Sequence, residues 1–143
     1  MLGRVGADNR TAVPSAVVER WQDEGIIDYL GESDDVRTAM ERADCIDLPS
    51  YGEGLPRALL GGSAMSKPLL ATDVPGCRDV VEDGKTGYLC AERSAESLAA
   101  AMVTMIETPA NERLRMGELG RRKIEQEYCE TRVIDKYLEA LGS

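Results

Sequence analysis

The sequence contains no histidine and no phenylalanine, and only 4% of its 143 residues are aromatic. Without histidine, neither a Ser-His-Asp nor a Cys-His nucleophilic centre can form. The four cysteines, Cys45, Cys77, Cys90 and Cys129, stand far apart, with no Cys-x-x-Cys among them. A zinc site is therefore not expected. Cys45 and Cys90 fall in apolar runs, where a free thiol acts as a small hydrophobe. All four read as reduced thiols of a cytoplasmic protein. No apolar run approaches the ~20 residues that span a bilayer, so no transmembrane segment is expected. Met1-Leu-Gly-Arg-Val-Gly lacks the basic-then-apolar order of a signal peptide. Basic side chains are outnumbered, 17 against 26 acidic ones, for a net charge of −9. That balance argues against nucleic acid or anionic membrane as a non-specific partner, since both require basic surface.

What is present is the make-up of an ordinary globular protein, and residues 1–143 read as a single domain with a core of useful size. Strand candidates at Ile26–Leu30, Cys45–Leu48, Pro68–Thr72 and Gly87–Cys90 alternate with helical segments. This is the pattern of a parallel sheet with crossover helices. Pro14–Glu24 carries Val17, Val18 and Trp21 at helical spacing, with Gly25 placed to end it. Ser33 or Asp34 can cap a helix over Asp35–Ala43. Leu55–Met65 is helical but holds Gly61-Gly62 in its middle, at a cost of roughly 1 kcal/mol per glycine relative to alanine. Ser94 can cap an amphipathic helix running to Ile106, with Leu98, Ala101, Met102, Met105 and Ile106 on its apolar face. Thr108-Pro109 restarts a helix over residues 111–128, and a last one is expected over Thr131–Leu141.

Two turns carry the candidate chemistry. In Pro49-Ser-Tyr-Gly-Glu-Gly-Leu-Pro-Arg57, Glu53 stands between Gly52 and Gly54 after a strand. The glycines would let backbone amides approach an anion or a sugar while the carboxylate accepts hydrogen bonds from hydroxyls. The bland alternative is a turn with a solvated carboxylate. In Val74-Pro-Gly-Cys-Arg78, Gly76 lies where a strand passes into a helix, whose amides favour negative charge. Pro-Gly is also a common turn dipeptide, and that reading stays open. Ligands of open α/β sheets bind outside the carboxyl ends of the strands, so both turns are expected on one rim. Arg57 and Arg78 follow that rim. Lys67 precedes its strand and belongs to the opposite end. Asp83-Gly-Lys-Thr-Gly87 lacks the spacing of a phosphate loop and reads as a tight turn.

The wording of these segments resembles a known family. Asp47-Leu-Pro-Ser-Tyr-Gly-Glu-Gly-Leu-Pro-Arg-Ala-Leu-Leu, then Ala64-Met-Ser-Lys-Pro-Leu-Leu-Ala-Thr-Asp-Val-Pro-Gly-Cys-Arg-Asp-Val-Val, is similar to the donor-binding domain of family 4 glycosyltransferases. So are Glu82-Asp-Gly-Lys-Thr-Gly-Tyr-Leu and Ser97-Leu-Ala-Ala-Ala-Met. The resemblance implies an α/β fold: a Rossmann-like parallel sheet with flanking helices, like the C-terminal domain of GT-B glycosyltransferases. It implies retaining, metal-independent transfer from a nucleoside diphosphate sugar, most simply a UDP-sugar, in bacterial surface polysaccharide synthesis, with no cofactor. Glu53 matches the first glutamate of the family's Glu-x7-Glu motif, against the donor sugar. The amides of Gly54 and Leu55 would face the sugar and diphosphate, with Arg57 and Gly76 nearby.

Two departures stand out. The second glutamate of that motif binds ribose hydroxyls in the family, and its place here is Gly61. The family's acceptor domain, and the first strand and helix of its donor domain with their Arg and Lys, have no counterpart in this sequence. The chain is thus expected to be a truncated, incomplete domain with no catalytic residue of its own and no turnover alone. The alternative is a non-catalytic nucleotide-sugar-binding module or a remnant interaction domain. Lacking its neighbouring strand, Cys45–Leu48 is expected to leave a sticky edge. A missing N-terminal acceptor domain or a second copy of the chain are the partners this implies.

Overall fold

The computed structural model describes residues 1–3, 5, 12–50, 52, 54 and 56–128. The chain divides into two compact units, Met1–Val36 and Arg37–Ser143.

The first unit is built on helix α1, Ser15–Asp23. Pro14 stands just before it, and Gly25, at φ +72°, ends it by donating its N–H to the Gln22 carbonyl. The expected strand Ile26–Leu30 does not form. Its backbone does lie against the first residues, since Leu30 N donates to Met1 O at 2.8 Å and Tyr29 Oη donates to Gly3 O at 2.7 Å. The backbone then leaves the extended region at Gly3 (φ +140°) and Gly31 (φ +80°), so no regular ladder propagates. Ile26 and Leu30 consequently stay exposed. Ser33 folds its hydroxyl onto Asp35 in a local turn instead of capping a helix.

The second unit opens with a short helix α2, Arg37–Arg42, trimmed at both ends relative to Asp35–Ala43. Three strands follow in chain order: β1 Ile46–Leu48, β2 Leu69–Thr72 and β3 Gly87–Cys90. All pair in parallel in the order β1-β2-β3, with Ile46 opposite Leu69 and Leu69 opposite Gly87. β2 is central, and its four residues are buried on both faces, as a parallel strand covered by helices must be. On one face α3, Arg57–Ala64, and α4, Pro75–Val80, bury Leu59, Cys77 and Val80 against Leu69 and Ala71. On the other, α5, Ala95–Glu107, sets Ala101 and Met105 against Leu70 and Cys90. Each fully buried Leu here contributes roughly 1.5–3 kcal/mol.

Ser94 caps α5 as expected, its hydroxyl accepting from Ser97 N at 3.1 Å. The apolar face is narrower than expected, because Met102 and Ile106 are 40% and 74% exposed. The last described helix, α6, Ala110–Glu127, lies against α3 with its glycines inward. Lys123 latches it to the α4–β3 turn, with Nζ 3.3 Å from Glu82 Oε1 and 3.0 Å from Glu127 Oε1. The segment Thr131–Leu141 and Cys129 lie outside the described residues. Among the described residues β1 has a ladder partner on one side, Cys45 and Cys90 are free thiols, and no helix is long and apolar enough to cross a membrane.

Candidate functional site

Parallel pairing puts the carboxyl ends of all three strands, at Leu48, Thr72 and Cys90, on one edge of the sheet. Both turns singled out in the sequence leave from that edge. In the first, Ser50 N bonds back to Leu48 O at 3.0 Å, and Ser50 Oγ accepts from Gly52 N while donating to Gly52 O. The side chain thus folds the turn on itself. Gly52 and Gly54 are exposed, and among the described residues a β-carbon at either would meet nothing within 4 Å. Glu53 and Leu55, the carboxylate and one of the two amides of the expected donor site, lie outside the described residues. Pro56 is buried at the start of α3, and its own side chain offers that helix no cap. The first amides of a helix that leaves from this edge point toward the rim. Arg57 is the first residue of α3 and is exposed.

Gly61 sits one turn further along α3 and is half-buried. Among the described residues beyond its own helix, a built β-carbon there meets Met40 Sδ at 3.3 Å and Met40 Cε at 3.4 Å. Nothing in the local pattern around Gly61 announced this contact, which is made between two helices.

The second turn is more tightly built. Asp73 N donates to Cys90 O at 2.7 Å, tying the end of β2 to the end of β3. Gly76 is buried as the second residue of the six-residue α4. Arg78 points back along its own turn: Nε donates to Asp73 Oδ1 at 2.5 Å and Nη2 to Asp73 O at 3.5 Å. A cation expected beside the rim is therefore held by a carboxylate of the same turn. Lys67 lies at the amino end, as its position before β2 implied, with Nζ donating to Glu41 O at 2.9 Å.

The 83–87 segment is the tight turn expected of it. Gly84 has φ +77° and donates to Gly87 O, Thr86 Oγ1 accepts from Glu82 N, and Asp83 Oδ1 accepts from Leu89 N. Its polar groups serve the turn.

The thiols are not poised for attack. Burial pushes Cys45 up to about 12, with the Asp47 charge adding to it, and burial also raises Cys90. Asp47 itself is pushed to about 6 by desolvation. Strand alternation explains the last shift, because Ile46 and Leu48 face the Leu59 cluster and Asp47 must face the Leu70 side. Among the described residues no three His, Cys, Asp or Glu side chains converge on a metal-sized space. A cavity of about 390 Å³ opens in the first unit, lined by Val18, Gln22 and Tyr29 with the carboxylates of Glu19 and Glu32. No cation among the described residues lines it.

A model of the family described as Glycosyl transferases group 1 matches residues 4–108. The chain is 26% identical over 128 residues to the N,N'-diacetylbacillosaminyl-diphospho-undecaprenol alpha-1,3-N-acetylgalactosaminyltransferase of Campylobacter jejuni, covering 88% of this chain and 33% of that protein. It is 27% identical over 109 residues to the N-acetyl-alpha-D-glucosaminyl L-malate synthase of Bacillus anthracis, covering 76% and 28%. The chain thus spans about a third of the length of these relatives. The structure of Anabaena HepE in complex with UDP and glucose matches with a TM-score of 0.74 at 20% identity, over 89% of this chain and 35% of that one. This likeness shows the fold, the Rossmann-like parallel architecture of GT-B glycosyltransferases.

Proposed function

The chain belongs to the Glycosyl transferases group 1 family, and on that premise we propose that it forms the donor side of a retaining glycosyltransferase that uses a UDP-sugar. The observation that carries this reading is the pair of exposed glycines, Gly52 and Gly54, leading from the carboxyl end of β1 into the start of α3. An open glycine turn beside the first amides of a helix accepts a diphosphate at close range. In this reading Glu53 takes hydroxyls of the sugar, and the amides of Gly54 and Leu55 face the sugar and diphosphate. Arg57 adds positive charge, and Gly76 lies under the second turn. Catalysis rests on holding the donor and stabilising the departing diphosphate, not on a nucleophile of this chain. In this reading transfer proceeds without a resident metal. A UDP complex of a fold neighbour supports the UDP donor, and a relative named for a diphospho-undecaprenol substrate supports a role in bacterial surface polysaccharide synthesis.

A second reading is favoured by one observation: Asp73 holds the Arg78 cation that would otherwise strengthen diphosphate binding. In that reading the chain is a weak nucleotide-sugar module without turnover. In both readings the acceptor side comes from another domain or another chain, a second copy included.

Titration calorimetry with UDP tests the shared element. The expected dissociation constant is millimolar, ~4 kcal/mol, because Gly61 offers no carboxylate to the ribose. Absence of saturable binding would remove both readings. Micromolar binding would mean that contacts other than those named hold the nucleotide.

A further inference from the structure

The central strand of the sheet, β2, delivers Asp73 to the middle of the carboxyl rim, between the glycine turn that follows β1 and the turn that follows β3. Its backbone is fixed there, because Asp73 N donates to Cys90 O at 2.7 Å and Val74 N donates to Thr72 O at 2.9 Å. Arg78 folds back from α4 onto this point and donates to both the carboxylate and the carbonyl of Asp73. The two side chains remain half in solvent, 55% exposed for Arg78 and 51% for Asp73. An ion pair so exposed is held weakly, so Arg78 can leave Asp73 for an incoming phosphate.

From this placement we infer that Asp73 is a specificity-determining residue of the rim: it competes with the ligand for Arg78 and keeps the site from preferring a free nucleoside diphosphate over its sugar ester. The inference rests on the reading of the rim as a donor site. At pH 7.5 the terminal phosphate of UDP carries about two negative charges, since its last proton is lost at about pH 6. The same phosphate esterified to a sugar carries one. A lone arginine at the rim would hold the spent nucleotide more tightly than the donor, and the product would obstruct the next donor. The Asp73 carboxylate removes that bias in two ways. It neutralises Arg78 before binding, and once Arg78 has turned to the ligand it repels the more highly charged of the two.

The test titrates UDP, UDP-glucose and uridine by NMR into the 143-residue chain at pH 7.5 and reads the ratio of UDP affinity to UDP-glucose affinity. Asp73→Asn leaves Arg78 an acceptor but no charge. It should raise the ratio about threefold, within the range of an exposed pair, and leave uridine unaffected. UDP binding by this variant should also fall more steeply with added salt. Asp73→Ser, a second neutral variant, should behave alike, with thermal melts confirming that each variant folds. The Asp73→Asn, Arg78→Gln double variant should return the ratio to that of the unmodified chain. Arg57 is common to every form and does not enter the comparison. A ratio unchanged in both neutral variants overturns the inference and leaves the donor reading standing. A rise that persists in the double variant also overturns it, since Arg78 is then not its source. If neither nucleotide binds any form, the donor reading fails and takes this inference with it.

Discussion

A β-carbon added at Gly117 would lie 1.8 Å from the Ser66 carbonyl oxygen, and one added at Gly87 would lie 1.9 Å from that of Leu69. One added at Gly52 or Gly54 would meet no heavy atom of the described residues within 4 Å. The first pair belongs to the amino end of the sheet, where α6 lies directly on the α3–β2 connection and β3 begins beside β2. The second belongs to the carboxyl rim. Glycine at one end lets backbones touch, and at the other it leaves a space. The amino end is also where Lys123 ties α6 to Glu82. Among the described residues the molecule thus concentrates its packing constraints at the end opposite the candidate site. That division is what a scaffold carrying a ligand site on its loops requires.

The largest expected effect lies at the packed end. Gly117→Ala should destabilise the fold by about 3 kcal/mol or more, since both neighbours are backbone and neither can rotate away. Urea denaturation measures this directly. A loss below about 1 kcal/mol would mean that α6 is not seated on Ser66.

An intermediate effect is expected in the middle of β1. Asp47 has a folded-state pKa of about 6 against an ordinary 3.8. The folded protein therefore binds this proton more tightly than the unfolded chain does. Its contribution is most favourable below pH 3.8 and is lost as the pH rises through 6. Asp47→Asn, neutral throughout, should raise Tm at pH 7.5 and leave it unchanged below pH 4. Solvent still reaches this residue, so screening keeps the gain modest. An equal gain at both pH values would mean that the charge is not its source.

The smallest effect on stability belongs to the rim. Gly54→Ala should change unfolding free energy by no more than about 0.5 kcal/mol, because nothing surrounds the added methyl group. The same change should weaken UDP binding several-fold by keeping the ligand from the backbone amide. If stability falls while UDP affinity holds, the two ends have been assigned the wrong way round.

Much of this architecture was legible in the sequence. Pro68–Thr72 and Gly87–Cys90 are short apolar runs bounded by Pro or Gly, and they became β2 and β3 with boundaries shifted by at most one residue. Ser94 announced its helix by its position before an apolar stripe. Ile26–Leu30 carried the same kind of signal and failed, because a strand needs a partner and the flanking glycines turn away from one. The stripe on α5 was overread at Met102 and Ile106 because an apolar pattern does not say how much of a helix its neighbours cover. At the rim, the glycines were legible because turn chemistry is local. The Asp73–Arg78 pair and the Met40–Gly61 contact were not, since side-chain direction and helix packing decide them.

The central claim is that a nucleotide diphosphate binds at the carboxyl rim and not at the packed end. Backbone NMR of the uniformly labelled chain, titrated with UDP, tests it most directly. The amides of Gly52, Gly54 and Arg57 should shift in a saturable way in the millimolar range, while those of Gly87, Gly117 and Gly120 stay fixed. Saturable shifts confined to the amino-end glycines, or to the cavity around Glu19 and Glu32, would contradict the account.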